Sequence, residues 1–387
     1  MQVKQIYEIV NQITNEVLGK SGLINEDLSN IVDVGTEVLN ANKLDNYVKS
    51  LVNHIGKVVF VNRPYTGSAP SVLMDAWEFG SILEKVRMDL PQATENESWE
   101  LEDGTSYDPN IFYKPKVTAK FFNSKTTFEI PMSFTEKQVK ESFSNAVQLN
   151  AFISMIYSTI DKSMTLKIDS LIMRTINNFT AETIFNGVGT TYGNTSTKAV
   201  NLLKEYNTAK GLTGQNVLKA SNALTNKEFI QFAVYKIGVI KDRLSKMSTL
   251  YNIGGTEKFT PNDLLHFVVL SDFANATTAY LESDSYHNEL VRLPKYESVP
   301  YWQGSGESYA FSDVSKINVK TTEANTVTVD GILGVMFDRD ALGVSNPDRR
   351  TTSNYNGKAE FYNNWAKADA SYFNDFNENF VVFFIHD

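Results

Sequence analysis

Residues 133–178 run SFTEKQVKESFSNAVQLNAFISMIYSTIDKSMTLKIDSLIMRTINN. Apolar side chains recur every three to five residues along this stretch, which is typical of one face of an α-helix. No proline or glycine interrupts it, and Ser133 with Glu136 matches a capping box. The sequence therefore predicts one helix over 133–178, roughly 68 Å long at about 1.5 Å per residue. A break near Ser144-Asn145 is the alternative to a continuous helix.

The chain before this helix has a different character. Residues 64–131 contain six of the ten prolines, which disfavours long helices. Residues 95–108 include six acidic side chains and no basic one. We interpret this run as a solvent-exposed face. Cation binding and a salt-bridge surface between subunits are the alternatives. Alternating runs at 116–122 and 126–130 favour antiparallel strands. We expect an extended, β-rich excursion here.

The N-terminal segment has helical spacing, with apolar residues at Val3, Ile6, Val10, Ile13 and Val17 before a break at Gly19. Such a helix packs on its own core or forms an arm on a neighbouring subunit, and the residues alone leave both open. A second helical pattern begins at Leu44, and Lys57–Val61 is a predicted strand.

Strand and helix patterns alternate after the long helix. Small polar residues and glycine dominate 186–225, and 226–250 is a predicted helix. Further along, we predict strands at Leu264–Leu270, Val327–Phe337 and Phe380–Ile385, and a helix over Phe273–Leu281 capped by Asp272. Together these elements predict an α+β fold.

Composition excludes several classes of protein. Of the 387 residues 42% are hydrophobic and 12% aromatic, which excludes a disordered chain. The absence of cysteine excludes a disulfide scaffold, a cysteine nucleophile and thiolate metal sites. A net charge of −9, from 36 basic and 45 acidic residues, disfavours a DNA-reading domain. We expect neither a signal peptide nor a membrane span, since no apolar window is long enough.

Residues that carry chemistry are scattered. The four histidines, His54, His266, His287 and His386, lack the spacing of a helical metal site, and His266 is predicted to be a core residue. Asp338 and Asp340 form a carboxylate pair of the kind found in metal sites and glycosidases, but an ion pair with Arg339 or Arg350 explains them equally well. Phosphate-binding loops and serine elbows are missing. We identify no catalytic, cofactor-binding or metal-ligating residue and expect no cofactor.

The aromatic residues allow two interpretations. Trp77, Trp99, Trp302 and Trp365, with 18 tyrosines, could stack on sugars. Aromatic side chains are also enriched in permanent protein interfaces, and we favour this second interpretation.

Specific segments carry a resemblance to a known family. They are Val329–Gly343 (VDGILGVMFDRDALG), Glu360–Trp365 (EFYNNW) and Tyr372–Phe383 (YFNDFNENFVVF). With the order of elements, they resemble the major capsid proteins of tailed bacteriophages, which have the HK-type (Johnson) fold. The segment Leu51–Val59 is similar to the capsid proteins of short-tailed phages of Gram-positive bacteria. The resemblance covers roughly residues 43–387.

The resemblance implies a division of the chain. Its parts would be an N-terminal arm and lead-in (1–55), a peripheral strand and an extended loop overlapping a neighbouring subunit (56–132), a spine helix of the peripheral domain (133–189), an axial domain (190–345) and returning peripheral strands (346–387). Some relatives form Lys–Asn cross-links, for which Lys85 is a conceivable donor.

The resemblance also implies partners. Copies of the chain would form hexamers and pentamers of an icosahedral head, assembled in the host cytoplasm and present in the virion. The short arm implies a separate scaffolding protein, and a portal protein and packaged double-stranded DNA are expected, the DNA through non-specific proximity only; no membrane is expected. An encapsulin-type cellular nanocompartment is the alternative with the same fold. A carbohydrate-active enzyme or binding protein is the alternative from another class.

Overall fold

A computed structural model describes most of the chain. The described residues are 3–19, 72–74, 83–91, 110–135, 146–282, 293–303, 308–345 and 348–387, with positions 24, 25, 33, 34, 37, 46, 47, 50, 93–95, 103, 104, 108, 137 and 138. Several predictions fall outside them: the helical pattern from Leu44, the strand Lys57–Val61 and the break at Ser144-Asn145. The chain divides into two units, Met1–Ala76 with Lys125–Asp387, and Trp77–Ser124.

Helices and strands alternate along the chain. The α-helices whose full extent is described are α1 (Val3–Leu18), α2 (Ala146–Val188), α3 (Leu202–Ala209), α4 (Ala220–Ala223), α5 (Lys227–Leu244), α6 (Ser271–Thr277) and α7 (Phe311–Val314), and a π-helical turn, Thr278–Glu282, continues α6. The strands are β1 (Leu73–Met74), β2 (Leu83–Met88), β3 (Val117–Phe122), β4 (Lys125–Thr135), β5 (Ala199–Asn201), β6 (Leu265–Leu270), β7 (Glu297–Val299), β8 (Ile317–Lys320), β9 (Thr326–Val329), β10 (Ile332–Asp338), β11 (Leu342–Ser345), β12 (Asp348–Asn356), β13 (Phe361–Asn374) and β14 (Phe380–Phe384).

The long helix exists, but its predicted start is wrong. Helix α2 has 43 residues, so it is about 64 Å long. Ser133 lies in β4, where its Oγ donates to Asn363 Oδ1 at 2.6 Å. A capping box is found two residues further on, at the end of β4, which stays paired with β13 up to Thr135. There the Thr135 amide donates to Gln138 Oε1 at 3.0 Å, and the Gln138 amide donates to Thr135 Oγ1 at 3.2 Å.

The first sheet is built around the long strand β13. Strand β4 pairs with one edge of β13, and β12 and β11 pair with the other, all antiparallel; β1 adds a parallel strand beside β11. Alternate residues of β13 are buried, including Ala366, Ala368 and Ala370. Ala370 belongs to the same buried cluster as Ile168 and Ile172 of α2, so the helix covers this face of the sheet.

The second sheet is buried on both faces, which explains its uninterrupted apolar runs. Its strand order is β5-β14-β10-β6-β7. Alternate residues of β14 point to opposite layers: Phe380 joins the cluster that contains α2, and Val381 joins the cluster that contains α3 and α5. The ring of Phe380 stacks on Phe179 of α2, with 4.1 Å between ring centroids.

Strand β14 pairs within the second sheet and not within the first. Residues 346–387 were expected to return together as peripheral strands. Instead, β14 inserts between β5 and β10, which belong to 190–345, so the chain's last strand completes the sheet of that block. Apolar character alone predicts a buried strand but does not identify its neighbours.

The structure tests three other predictions about single strands and helices. The predicted strand Val327–Phe337 is two strands, separated at Gly331, whose φ of +76° turns the chain. Asp272 lies in the first turn of α6, but the residue before that helix, Leu270, makes no side-chain cap. Helix α1 is confirmed, and its Val10 and Ile13 are fully buried.

The β12–β13 hairpin contains a strained residue. Glu360 has a φ of +51°, a left-handed conformation that is costly for any residue with a Cβ. We expect Glu360→Gly to stabilise the subunit by about 0.5–1 kcal/mol, measured by chemical denaturation. Ala359→Gly is the control, because Ala359 has no positive φ; it should destabilise slightly. Equal effects of the two changes would contradict this explanation.

Candidate assembly surfaces

The second unit contains a two-stranded antiparallel ribbon of β2 and β3. Glu84 faces Phe121, Val86 faces Ala119 and Met88 faces Val117 across the strands. Since alternate residues of a strand share a face, Val86, Met88, Val117 and Phe121 form one apolar face. All four are more than half exposed, with Val86 at 64% and Phe121 at 62%.

This apolar face has the character of a binding surface. A two-stranded ribbon is marginally stable in water by itself, and a contiguous exposed apolar patch marks an interaction site. Two aromatic side chains of the connecting segment, Phe112 and Tyr113, are 83% and 82% exposed. The strands predicted from the alternating runs at 116–122 and 126–130 are confirmed as β3 and β4, and the described part of the ribbon presents apolar side chains to solvent.

The opposite face of the ribbon is cationic. Lys85 lies directly across from Lys120, and their ammonium groups are 5.9 and 5.3 Å from the centroid of the Phe122 ring. Arg87 and Lys116 approach Asp89 at 3.6 and 3.4 Å. The proposed role of Lys85 as a cross-link donor stays a prediction.

The outer face of the first sheet carries a polar ladder across three strands. Asp369 of β13 forms an ion pair with Arg350 of β12 and accepts a hydrogen bond from Thr127 of β4 at 2.6 Å. Lys367 lies 3.2 Å from Glu129 on the same face. These pairs connect strands that are far apart in the sequence and help to fix their register.

The ladder makes the stability of the subunit pH-dependent. Arg350 holds the pKa of Asp369 below its ordinary value of 3.8, against a smaller opposing effect of burial. The stabilisation that ionised Asp369 contributes is therefore complete when the pH is above the ordinary pKa, and it is lost as the pH falls through the lowered pKa. We expect the difference in denaturant midpoint between wild type and Asp369→Asn to shrink on acidification. A difference that stays constant with pH would contradict this expectation.

Trp302 is a core residue. It is 1% exposed, and its indole N–H donates to the Ile332 carbonyl at 2.8 Å. Asn177 of α2 donates from Nδ2 to the Trp302 carbonyl at 2.6 Å. Both residues line a cavity of about 430 Å³ beside Leu166 and Met173. A buried Trp302 offers no stacking platform to a sugar.

The predicted carboxylate pair has a structural role. Asp338 is buried, and its carboxylate accepts from Thr260 Oγ1 at 2.7 Å and from the Asp340 amide at 2.9 Å. Asn379 donates to the same Thr260 hydroxyl at 3.1 Å. Arg350, considered as a partner of this pair, binds Asp369 instead. Asp338 thus stabilises the turn after β10 through the Asp340 amide. Through the Thr260 hydroxyl it also connects this turn to Asn379, the residue before β14.

The described histidines and acidic residues do not converge. His266 stacks on Phe337 at 5.6 Å between centroids, and burial lowers its pKa; His386 lies 4.0 Å from Asp330. Within the described ranges, no three His, Asp or Glu residues are grouped as a metal site would require. Nor does any described helix have the length and apolar character to cross a membrane.

One family model matches this chain, and solved structures are similar to it. A family model described as Phi29-like phage major capsid protein matches residues 10–384. The capsid structure of Staphylococcus phage Andhra is similar, with a TM-score of 0.50, 10% identity and coverage of 84% of this chain and 86% of that one. The capsid structure of Cyanophage P-SCSP1u gives a TM-score of 0.42, 10% identity and coverage of 85% and 92%. No curated protein matches.

Proposed function

Because the chain belongs to the Phi29-like phage major capsid protein family, we propose that its copies assemble through the ribbon into a closed icosahedral head. The chain is a capsid-forming structural protein of the phage virion, and its α+β architecture is the HK-type fold. The apolar face of Val86, Met88, Val117 and Phe121 is the single observation that supports the mode of assembly. In the head, each ribbon lies against a neighbouring subunit and buries that face.

The parts of the chain take distinct roles in this proposal. Residues 1–55 are the arm and lead-in, 56–132 the strand and loop that reach a neighbour, and 133–189 the segment with the spine helix α2. The second sheet, including β14, forms the axial domain, whose tips meet in hexamers and pentamers. The first sheet and α2 form the peripheral domain.

We propose three kinds of partner for the shell. A separate scaffolding protein guides assembly in the host cytoplasm, a portal protein occupies one vertex, and double-stranded DNA fills the head. The net charge of −9 would repel the packaged DNA and keep it mobile. We expect no enzymatic activity.

Electron microscopy of the purified protein tests this proposal. The protein is expressed alone and with its neighbouring genes, and the particles are compared. Closed shells or capsomers support the proposal, and shells formed only with a partner identify the scaffold. A protein that stays monomeric under every condition would contradict it.

A further inference from the structure

The loop of the β12–β13 hairpin fixes the side chain of one asparagine through the backbone amides that follow it. Asn356 ends β12, pairs with Phe361 and is exposed to solvent. Its Oδ1 accepts two backbone hydrogen bonds, from the Lys358 amide at 3.1 Å and the Ala359 amide at 3.2 Å. Two amides directed at one carbonyl oxygen stabilise negative charge that develops there, as in an oxyanion hole.

The next residue is Gly357, and the backbone conformation at this position does not require glycine. The φ of Gly357 lies outside the left-handed region, and a Cβ at this position would contact only Tyr355 Cε1, at an ordinary 3.6 Å. The left-handed position of the loop is occupied by Glu360 instead. Alanine would therefore fit at position 357. What glycine does provide is a backbone nitrogen that no adjacent side chain obstructs.

We propose that Asn356 is a self-modification site, at which the side-chain amide is converted to a carboxylate without an enzyme. The Gly357 backbone nitrogen attacks Asn356 Cγ, and the Lys358 and Ala359 amides stabilise the oxyanion on Oδ1. The Gly357 nitrogen loses its proton, the Cγ–Nδ2 bond breaks and ammonia leaves, which gives a cyclic succinimide. Water then opens the ring to aspartate or isoaspartate. The net reaction consumes one water and releases one ammonia, with no change in oxidation state.

The product changes the hairpin in a defined way. It adds one negative charge beside Lys358 and near Glu360, and the isoaspartate form also lengthens the main chain by one carbon. Because the reaction is irreversible in water, the modified fraction records the age of the folded subunit. This inference goes beyond the capsid role and does not depend on it.

The chain contains a second Asn-Gly pair as an internal control. Asn186 is also exposed, but Gly187 lies in the last turn of α2, where backbone amides donate to carbonyls four residues earlier. A Cβ at Gly187 would approach Ser196 Oγ to 2.5 Å, so packing explains this glycine. The helix holds its amide away from the attack geometry, and Asn186 should remain an amide.

The test is peptide mass spectrometry of the folded full-length protein, aged at mildly alkaline pH. Conversion is followed by the mass difference between amide and acid at both sites, in the native protein and in denaturant. In the native protein we expect Asn356 to convert at least as fast as in the denatured chain, and Asn186 to convert about tenfold more slowly than in the denatured chain, or slower still. Native-state conversion of Asn356 slower than in the denatured chain would overturn the proposal.

A matched variant separates the chemistry from the fold. Gly357→Ala should fold with an unchanged denaturant midpoint, since its Cβ meets no close contact. It should slow conversion at Asn356 by about tenfold or more, because the new methyl group hinders the attacking nitrogen. Unchanged conversion in a folded Gly357→Ala variant would show that hydrolysis does not pass through Gly357, and would overturn the mechanism.

Discussion

Replacing Val86 and Phe121 together by threonine is expected to prevent shell formation while the subunit stays folded. Threonine keeps the strand propensity of β2 and β3 and removes most of the apolar surface. Burying a side chain of this size contributes about 1.5–3 kcal/mol, so each contact between subunits should weaken about a hundredfold or more. A shell repeats that contact in every subunit, which turns a moderate loss per contact into a failure of assembly.

The measurement combines electron microscopy with the thermal midpoint of the free subunit. Tyr235→Thr is the matched control, because Tyr235 of α5 is as exposed as Val86, at 64%, but lies outside the ribbon. We expect shells from the control and none from the double variant, at similar midpoints. Normal shells from the double variant would contradict assembly through the apolar face.

Gly331→Ala should produce the largest loss of subunit stability. Gly331 has a φ of +76°, and a Cβ there would lie 2.0 Å from the Ile385 carbonyl oxygen. That carbonyl belongs to the backbone directly after β14, which also donates a hydrogen bond from the Ile385 amide to the Gly331 carbonyl at 2.8 Å. Backbone strain and the steric clash together should cost about 3–5 kcal/mol.

Gly255→Ala separates the two causes. Gly255 has a similar φ of +62°, but a Cβ added there would have no atom within 4 Å. We expect a loss of about 1 kcal/mol from strain alone, measured as the free energy of unfolding in denaturant. Equal losses in the two alanine variants would show that the contact with Ile385 is unimportant.

Short-range patterns predicted the elements whose structure depends on nearby residues. The helical spacing before Gly19, the alternation at 126–130 and the apolar runs that became β6 and β14 all match the structure. The helix start predicted at Ser133 was wrong because Ser133 is held in a strand by Asn363, 230 residues away.

The candidate surfaces were predictable only in outline. Alternation in β3 was visible, but the apolar face became clear only with the register that pairs Met88 with Val117. The break at Gly331 had a local signal, the turn dipeptide Asp330-Gly331, which the apolar run of β10 outweighed. The dipeptide Asn356-Gly357 is a turn signal in the sequence, but the two amides that donate to Asn356 come from a loop conformation that the dipeptide does not encode.

The insertion of β14 has a consequence for synthesis of the protein on the ribosome. Every other strand of its sheet is translated earlier, yet β14 lies between β5 and β10. In a nascent chain, β5 and β10 must therefore stay apart, or separate again, until residues 380–384 have left the exit tunnel and can pair with both strands. A chain interrupted before that point lacks the interior of a sheet, so premature termination yields chains that cellular proteases can remove before they enter a particle.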